Sequence, residues 1–284
     1  ANKRGVHLFL SLERLESLRR KQNPAASPLQ RIGLSATQRP LDEVATLLGG
    51  AESDPKRPEV LVPRPVTIVA AGRRKELEIS IEMPLAPARD SVTEESSRTA
   101  EVVTREDATQ GKSIWPAIHP RLVELIRSHR STMLFVNNRR LAERLAAAIN
   151  ELAGEEIALA HHGSIAKETR RAIEERLKEG TLPAIVATSS LELGIDMGAV
   201  ELVIQIESPP SIAAGLQRIG RAGHQVGAAS KGIVFPKFRG DLLACAAASA
   251  RMMAGEVEET RFPRNPLDVL AQQVVAMVAT SPMT

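Results

Sequence analysis

Residues 131–163, STMLFVNNRRLAERLAAAINELAGEEIALAHHG, contain a strand, a helix and a second strand in succession. STMLFV is a continuous apolar run, which is typical of a buried strand. Leu141, Leu145, Ile149 and Leu152 then recur at helical spacing, and EIALAHH predicts the next strand. Two buried strands joined through a helix indicate a β-α-β unit with parallel strands.

The same alternation continues on both sides of this unit. RLVELI precedes it as a helix, and after it we predict, in order, the helix IAKETRRAIEERLKEG, the strands PAIVATS and AVELVIQI, the helix SIAAGLQRIGRA and the strand KGIVFP. This order predicts a doubly wound α/β domain with a parallel sheet covered on both faces. Ligands of such sheets bind at the carboxyl ends of the strands, where the loops 137–140, 161–163 and 188–190 fall.

The flanking segments are less regular. We predict a helix over HLFLSLERLESLRR (7–20), a short apolar strand from Arg31 to Ala36 that ends in SAT, and a helix from Leu41 that stops at Gly49-Gly50. ELEISIEM alternates like a strand, and the polar residues 90–112 predict a mobile loop. After Pro236, GDLLACAAASARMMAG and NPLDVLAQQVVAMVA predict two helices that begin a further helical or winged element.

Composition limits the classes of protein that fit. Apolar residues make up 43% and charged residues 25% of the 284 residues, as in soluble globular proteins. The net charge of +3 is small, so an anion site must be local. Cys245 is the sole cysteine, which excludes a disulfide framework, and no apolar run is long enough for a membrane span, so we expect a cytoplasmic protein. The chain begins with Ala1, not Met, and we expect it to be cut from a longer one.

A phosphate-loop match at Gly111-Lys112-Ser113 is rejected. The motif requires glycine at position 106, where Glu106 stands, and no apolar strand precedes it. Pro116 also follows too closely for a helix N-terminus to hold phosphates.

Two stretches predict phosphate recognition. In QRIGRAGH (217–224), Arg218 and Arg221 are three residues apart, and we expect them to share one helix face directed at a polyanion, although a solvated basic face has the same spacing. In ATSSLELGID (187–196), the strand end offers hydroxyls and amides to a backbone phosphate. Arg139-Arg140 could be a solvated pair, and for His161-His162 we favour a role at the strand end over a metal site.

In chain order, SAT, FVNNRR, HHGS, ATSSLELGID and QRIGRAGH resemble the motif series of superfamily 2 helicases. The longer stretches SLERL, IGLSAT, SIWP, TSSLELGIDMG, IQIESPP, GLQRIGRAGHQVG and FPKFRGDL are similar to the large helicase-related (Lhr) family over essentially the whole chain. The resemblance implies RecA-like domains: the C-terminal part of a first in 1–50, a linker in 51–62, a complete second in 63–240, and a helical connection with the start of a winged helix in 241–284.

The resemblance also implies an ATP-driven translocase that uses Mg²⁺, moves 3′-to-5′ on single-stranded DNA, unwinds DNA or RNA:DNA duplexes and serves DNA repair. It assigns Arg221 as the arginine finger, with Arg218 and Gln217 beside it. Other implied roles are nucleotide binding by Gly194, Asp196 and His224, coupling by Ser35 and Thr37, and nucleic-acid binding by Arg139, Arg140, His162, Thr188 and Ser189. Many superfamily 2 proteins have arginine where His224 stands.

The family's phosphate loop and DE-x-H motif belong upstream of SAT and do not occur in this sequence. We therefore expect the segment alone to be inactive, to contain no metal site of its own, and to act with an upstream RecA-like domain of the same polypeptide. Two alternatives remain open: a DEAD-box-like RNA helicase and a non-catalytic nucleic-acid-binding scaffold. A third, a helicase-like subunit of a nuclease or restriction complex, needs nuclease carboxylates that we do not find in this sequence.

Overall fold

The computed structural model describes residues 3–35, 37–69, 76–84, 114–192, 200–223 and 229–280. The predicted loop 90–112 and the rejected Gly111-Lys112-Ser113 match lie outside these residues. The chain forms two compact units, residues 1–72 with 257–284, and residues 73–256.

The second unit is built around a six-stranded sheet. Its elements in chain order are β3 (Leu77–Ile81), α3 (Trp115–Arg127), β4 (Thr132–Phe135), α4 (Arg139–Ala153), β5 (Ala158–His161), α5 (Lys167–Lys178), β6 (Ala184–Ala187), β7 (Leu202–Ile206), α6 (Ile212–Ile219), β8 (Ser230–Phe235) and α7 (Asp241–Ala254). The strand order is β3-β8-β7-β4-β6-β5, and every neighbouring pair is parallel. The predicted α/β fold with a parallel sheet is confirmed.

Both faces of this sheet are covered. Leu134 packs with residues of α3 and α4 in one core cluster. Met133 and Phe135 point to the opposite face, because side chains alternate along a strand, and they are also fully buried. The continuous apolar run of STMLFV follows from burial on both sides.

Local signals set the ends of α4. The Asn138 side chain accepts a hydrogen bond from the amide of Leu141 at 2.8 Å and caps the first turn. Gly154 ends the helix in the left-handed conformation, with φ of 73°. These caps place the start of α4 directly after β4.

The first unit contains α1 (Lys3–Gln22), α2 (Leu41–Gly49), the antiparallel hairpin β1 (Ala51–Asp54) and β2 (Arg57–Pro63), and α8 (Leu267–Thr280). Residues 51–62, expected to form a linker, are this hairpin. The turn forms because the Asp54 carboxylate accepts from the amides of Lys56 and Arg57, at 2.7 and 3.3 Å.

The strand predicted from Arg31 to Ala36 is wrong for residues 31–35, which form no strand. A strand needs a hydrogen-bonding neighbour, and residues 31–35 belong to none of the strand pairs among the described residues. Ile32 and Leu34 are consequently 73% and 95% exposed.

The two C-terminal helices lie in different units. α7 contacts α6 and β3, whereas α8 contacts α1. None of the described helices combines the length and apolar character that crossing a lipid bilayer requires.

Candidate functional site

The carboxyl ends of β4 and β6 border an open cavity of about 500 Å³. β4 and β6 are paired neighbours, with Phe135 opposite Ala187, so the loops that follow them start side by side. The lining residues are Asn137, Asn138, Arg139, Arg140, Thr188 and Ser189. The structure thus brings together four of the predicted nucleic-acid-binding residues.

The start of α4 gives this cavity a positive potential. Arg139 and Arg140 occupy the first two helical positions, and the first turn contains no acidic residue. Cations are unfavourable at a helix N-terminus, where the macrodipole is positive. An anion bound there would offset the positive charge of the two arginines and of the helix end. Arg139 also donates to the Ser164 hydroxyl at 2.5 Å, so the loop after β5 orients its guanidinium. The arrangement is chemically suited to a phosphate group.

His162, predicted to bind nucleic acid, does not line the cavity. The residue is 3% exposed, its Nε2 lies 3.0 Å from Glu143, and the Ser164 amide donates to its Nδ1 at 3.4 Å. With Nδ1 accepting, Nε2 carries the proton and donates to the carboxylate. His162 therefore supports the turn that presents Ser164 to Arg139.

His161 supports the loop after β6 in the same way. Its Nδ1 lies 2.9 Å from the Ser190 hydroxyl, and its Nε2 lies 3.0 Å from Glu174. Burial lowers the pKa of His161 below its usual value, although Glu174 opposes the shift. A neutral imidazole between these two groups fixes Ser190, which follows the cavity residues Thr188 and Ser189.

Arg218 and Arg221 do not share a helix face, contrary to the expectation. α6 ends at Ile219 with Gly220 at its C-cap, so Arg218 lies in the helix and Arg221 in the turn beyond it. The spacing of three residues predicted one face only while the helix continued.

Arg218 is 2% exposed, and its guanidinium is hydrogen-bonded at the carboxyl-end edge of the sheet. Its Nε and Nη2 lie 2.8 and 2.7 Å from Glu192 Oε1, and Nη1 donates to Asn137 Oδ1 at 3.0 Å and to Gln205 Oε1 at 2.9 Å. The guanidinium also stands over the ring of Phe135, 5.4 Å from its centre. Arg218 therefore joins the ends of β4, β6 and β7, and in this arrangement it is not presented to a ligand.

Arg221 is half-buried, and its Nη2 donates to the carbonyl oxygen of Glu192 at 2.6 Å. Glu192 thus holds both arginines, Arg218 by its carboxylate and Arg221 by its backbone. Glu192 lies in the stretch ATSSLELGID, but the sequence pattern predicted no role for it. Its signal was an acidic side chain after a strand end, in a chain that also offers two arginines without an assigned counterion.

The remaining predicted site residues lie in either unit or outside the described residues. Gln217 lies half-buried in the last turn of α6. In the first unit, the Thr37 amide is 3.5 Å from the Ser35 hydroxyl. Gly194, Asp196 and His224 lie outside the described residues.

Comparison with known proteins identifies the family. The helicase conserved C-terminal domain matches residues 118–225, which include the cavity and both arginines. The Lhr helicase/probable uracil glycosylase of Mycolicibacterium smegmatis is 43% identical over 316 residues, covering 100% of this chain and 19% of that protein. The chain belongs to the Lhr family.

A second Lhr family relative, the Lhr helicase/uracil glycosylase of Escherichia coli, is 44% identical over 311 residues, covering 98% of this chain and 19% of that protein. The solved structure of Mycobacterium smegmatis helicase Lhr bound to ssDNA and AMP-PNP is 48% identical, with a TM-score of 0.78, covering 99% of this chain and 33% of that one. The chain therefore spans about a fifth of the length of these curated Lhr proteins. The predicted family and RecA-like fold are confirmed.

Proposed function

We propose that this chain is part of an ATP-dependent DNA helicase that moves 3′-to-5′ along single-stranded DNA and unwinds DNA or RNA:DNA duplexes. The observation that carries the proposal is the cavity at the start of α4, where two exposed arginines and two hydroxyl side chains surround space for a phosphate. The similar Lhr structure, which is bound to ssDNA and AMP-PNP, supports it.

The nucleic-acid part of the proposal assigns backbone contacts to the cavity. Arg139 and Arg140 supply charge, and Thr188 and Ser189 supply hydroxyls at the neighbouring strand end. Such groups bind phosphates and read no bases, so binding is independent of sequence and weakens with salt. His162 acts through Ser164 and Arg139.

The nucleotide part assigns Arg221 as the arginine finger that stabilises charge on the transferred γ-phosphoryl group. Arg218 and Glu192 position the turn that carries Arg221, and Gly194, Asp196, His224 and Gln217 complete the nucleotide-facing edge. ATP bound by the whole protein supplies the free energy for movement. In this proposal Mg²⁺ is held largely by groups of the upstream RecA-like domain of the same polypeptide.

The first unit has a coupling role in this proposal. Residues 1–50 form the C-terminal part of a first RecA-like domain, and Ser35 and Thr37 link nucleotide state to movement. The exposed apolar side chains of Ile32 and Leu34 fit a segment that pairs with a strand of that domain. Within this scheme 63–240 is the second RecA-like domain, and 241–284 lead to a winged helix.

The test of DNA gripping is Arg139→Gln with Arg140→Gln in the full-length protein. Each phosphate contact on a single strand contributes about 0.7 to the slope of log K against log salt, so two lost contacts lower it by about 1.4. The matched control is Arg171→Gln with Lys178→Gln, which removes the same charge from the exposed surface of α5. An equal slope change in both variants would contradict the assignment.

The same protein separates the alternatives. Arg221→Ala should lower DNA-stimulated ATP hydrolysis by at least about 10²-fold while nucleotide binding is kept. Unchanged hydrolysis would favour a non-catalytic scaffold. Stronger stimulation by single-stranded RNA than by DNA of equal length would favour a DEAD-box-like RNA helicase.

A further inference from the structure

The SLERL stretch (11–15) has no role in the proposed function, although it lies in the middle of α1. α1 is 20 residues long, yet only Val6 and Glu16 are buried, so apolar packing alone does not hold it. Glu13 and Arg14 each make hydrogen bonds from α1 to other segments of the first unit.

Glu13 holds the segment that leads to Ser35 and Thr37. Its carboxylate accepts from Arg31 at 2.7 Å and from Arg64 at 2.8 Å. The Arg31 side chain is 8% exposed and also donates to the carbonyl oxygens of Leu48 and Gly49, at the end of α2. Glu13 therefore fixes the start of the segment to both α1 and α2.

The space for this carboxylate depends on Gly50. The residue has φ of 70°, a conformation that disfavours other side chains, and a Cβ there would overlap the Glu13 carboxylate. One turn further along α1, Glu16 accepts from the Leu29 amide at 2.9 Å. Two carboxylates of one helix thus hold both ends of residues 29–31.

Arg14 holds α8. Its guanidinium donates to Gln273 Oε1 at 3.0 Å and to the Ala276 carbonyl at 3.3 Å. Gln273 is 5% exposed and also contacts His7 and Ser11 of α1. These contacts join the buried side of α8 to α1.

A second set of hydrogen bonds joins the segment around Ser35 and Thr37 to the C-terminal segment. Thr260, which precedes α8, donates from its hydroxyl to Gln38 Oε1 at 2.5 Å and from its amide to the Arg39 carbonyl. Residues before and after Ser35–Thr37 are therefore both linked to the C-terminal segment, one side through Glu13 and Arg14 and the other through Thr260.

We propose that Glu13 and Arg14 are positioning residues that transmit a shift of the segment carrying Ser35 and Thr37 to α8. A change in that segment shifts Arg31 and with it α1, and Arg14 carries the shift to α8 and the residues that follow it. The proposal rests on the proposed function for the coupling role of Ser35 and Thr37.

The test is amide hydrogen exchange in the full-length protein, with and without AMP-PNP. In the wild type, AMP-PNP should slow exchange in both 29–35 and 267–280. Arg14→Met removes two hydrogen bonds from a charged donor, so the amides of α8 should exchange about tenfold faster. AMP-PNP should then no longer slow exchange in α8, whereas it should still slow exchange in residues 29–35. Base pairs unwound per ATP should fall, with kcat for ATP hydrolysis within about twofold, since Arg14 lies away from the reacting groups.

Lys3→Met is the matched control, because the Lys3–Asp268 pair also joins α1 to α8 but is exposed on both sides. It should leave the response of α8 unchanged. Arg14→Lys, which keeps the charge, serves if Arg14→Met does not fold, and should weaken the response of α8. Glu13→Gln should weaken the responses of both segments.

The outcomes separate the two proposals. If the wild type hydrolyses ATP and α8 in the Arg14 variants responds to AMP-PNP as in the wild type, the positioning role is wrong and the helicase function stands. If the wild type hydrolyses no ATP with DNA but the Arg14 variants still uncouple α8 from 29–35, the helicase function is wrong and the positioning role stands.

Discussion

Arg218→Met should destabilise the second unit strongly, because it leaves Glu192 without its buried partner. The Arg218 side chain is 2% exposed and that of Glu192 15%, with 2.7 Å between Nη2 and Oε1. Removing one member of a buried ion pair costs about 3–5 kcal/mol. For a unit of this size, each kcal/mol lowers Tm by about 2–4 °C, so we expect a loss of about 6–20 °C.

Arg130→Met is the matched control. Arg130 lies 2.9 Å from Glu201, nearly the same separation, but its side chain is 93% exposed. Exposed pairs of this kind contribute less than about 1 kcal/mol. The two variants therefore compare a buried ion pair, whose arginine also donates to Asn137 and Gln205, with an exposed one. Urea unfolding followed by circular dichroism compares their stabilities directly.

Glu192→Met in the Arg218→Met background checks the cause. The double variant should be more stable than Arg218→Met alone, because no uncompensated carboxylate remains in the sheet edge. If Arg218→Met unfolds at the same urea concentration as Arg130→Met, Arg218 is not a structural arginine. The guanidinium would then be available for a phosphate, as the helical spacing first suggested.

Two further predictions concern single hydrogen-bonding groups. Asn138→Ala should destabilise the second unit by about 1 kcal/mol, since the Leu141 amide loses its cap, and an unchanged urea midpoint would contradict this. The pKa of Glu16 is lowered below 4.5 because the Leu29 amide donates to its carboxylate and Arg20 and Arg19 stand beside it. A lowered pKa in the folded chain gives stability that is present at neutral pH and lost as the pH falls below 4.5, so Glu16→Gln should lessen the acid sensitivity of unfolding; equal pH profiles for both chains would refute the assignment.

The sequence predicted the second unit well because its signals are local. The apolar run of β4 and the helical spacing from Leu141 to Leu152 each lie within the element that they define. Parallel strands then bring their carboxyl ends to one edge, so the cavity residues at 139, 140, 188 and 189 could be grouped without coordinates.

The first unit was harder to predict for the opposite reason. Residues 31–35 are apolar enough for a strand, but strand formation depends on a neighbour that the segment itself does not encode. The hairpin at 51–63 was not predicted because its charged turn resembles a linker in sequence. The Asp54 carboxylate accepts hydrogen bonds there from the amides of Lys56 and Arg57. α8 packs on α1 across more than 250 residues of sequence, and periodicity could not indicate that pairing.

The residue types and their order were enough to establish the parallel α/β fold, the family and the position of the basic residues at strand ends, because periodicity and capping act over a few residues. Which arginine is free to meet a ligand was decided by the folded chain. Arg218 is buried by Glu192, Asn137 and Gln205, which lie 13 to 81 residues away, whereas Arg139 and Arg140 stay exposed. Burial and ion pairing depend on such distant neighbours, and these determine whether a cation supports the fold or contacts a phosphate.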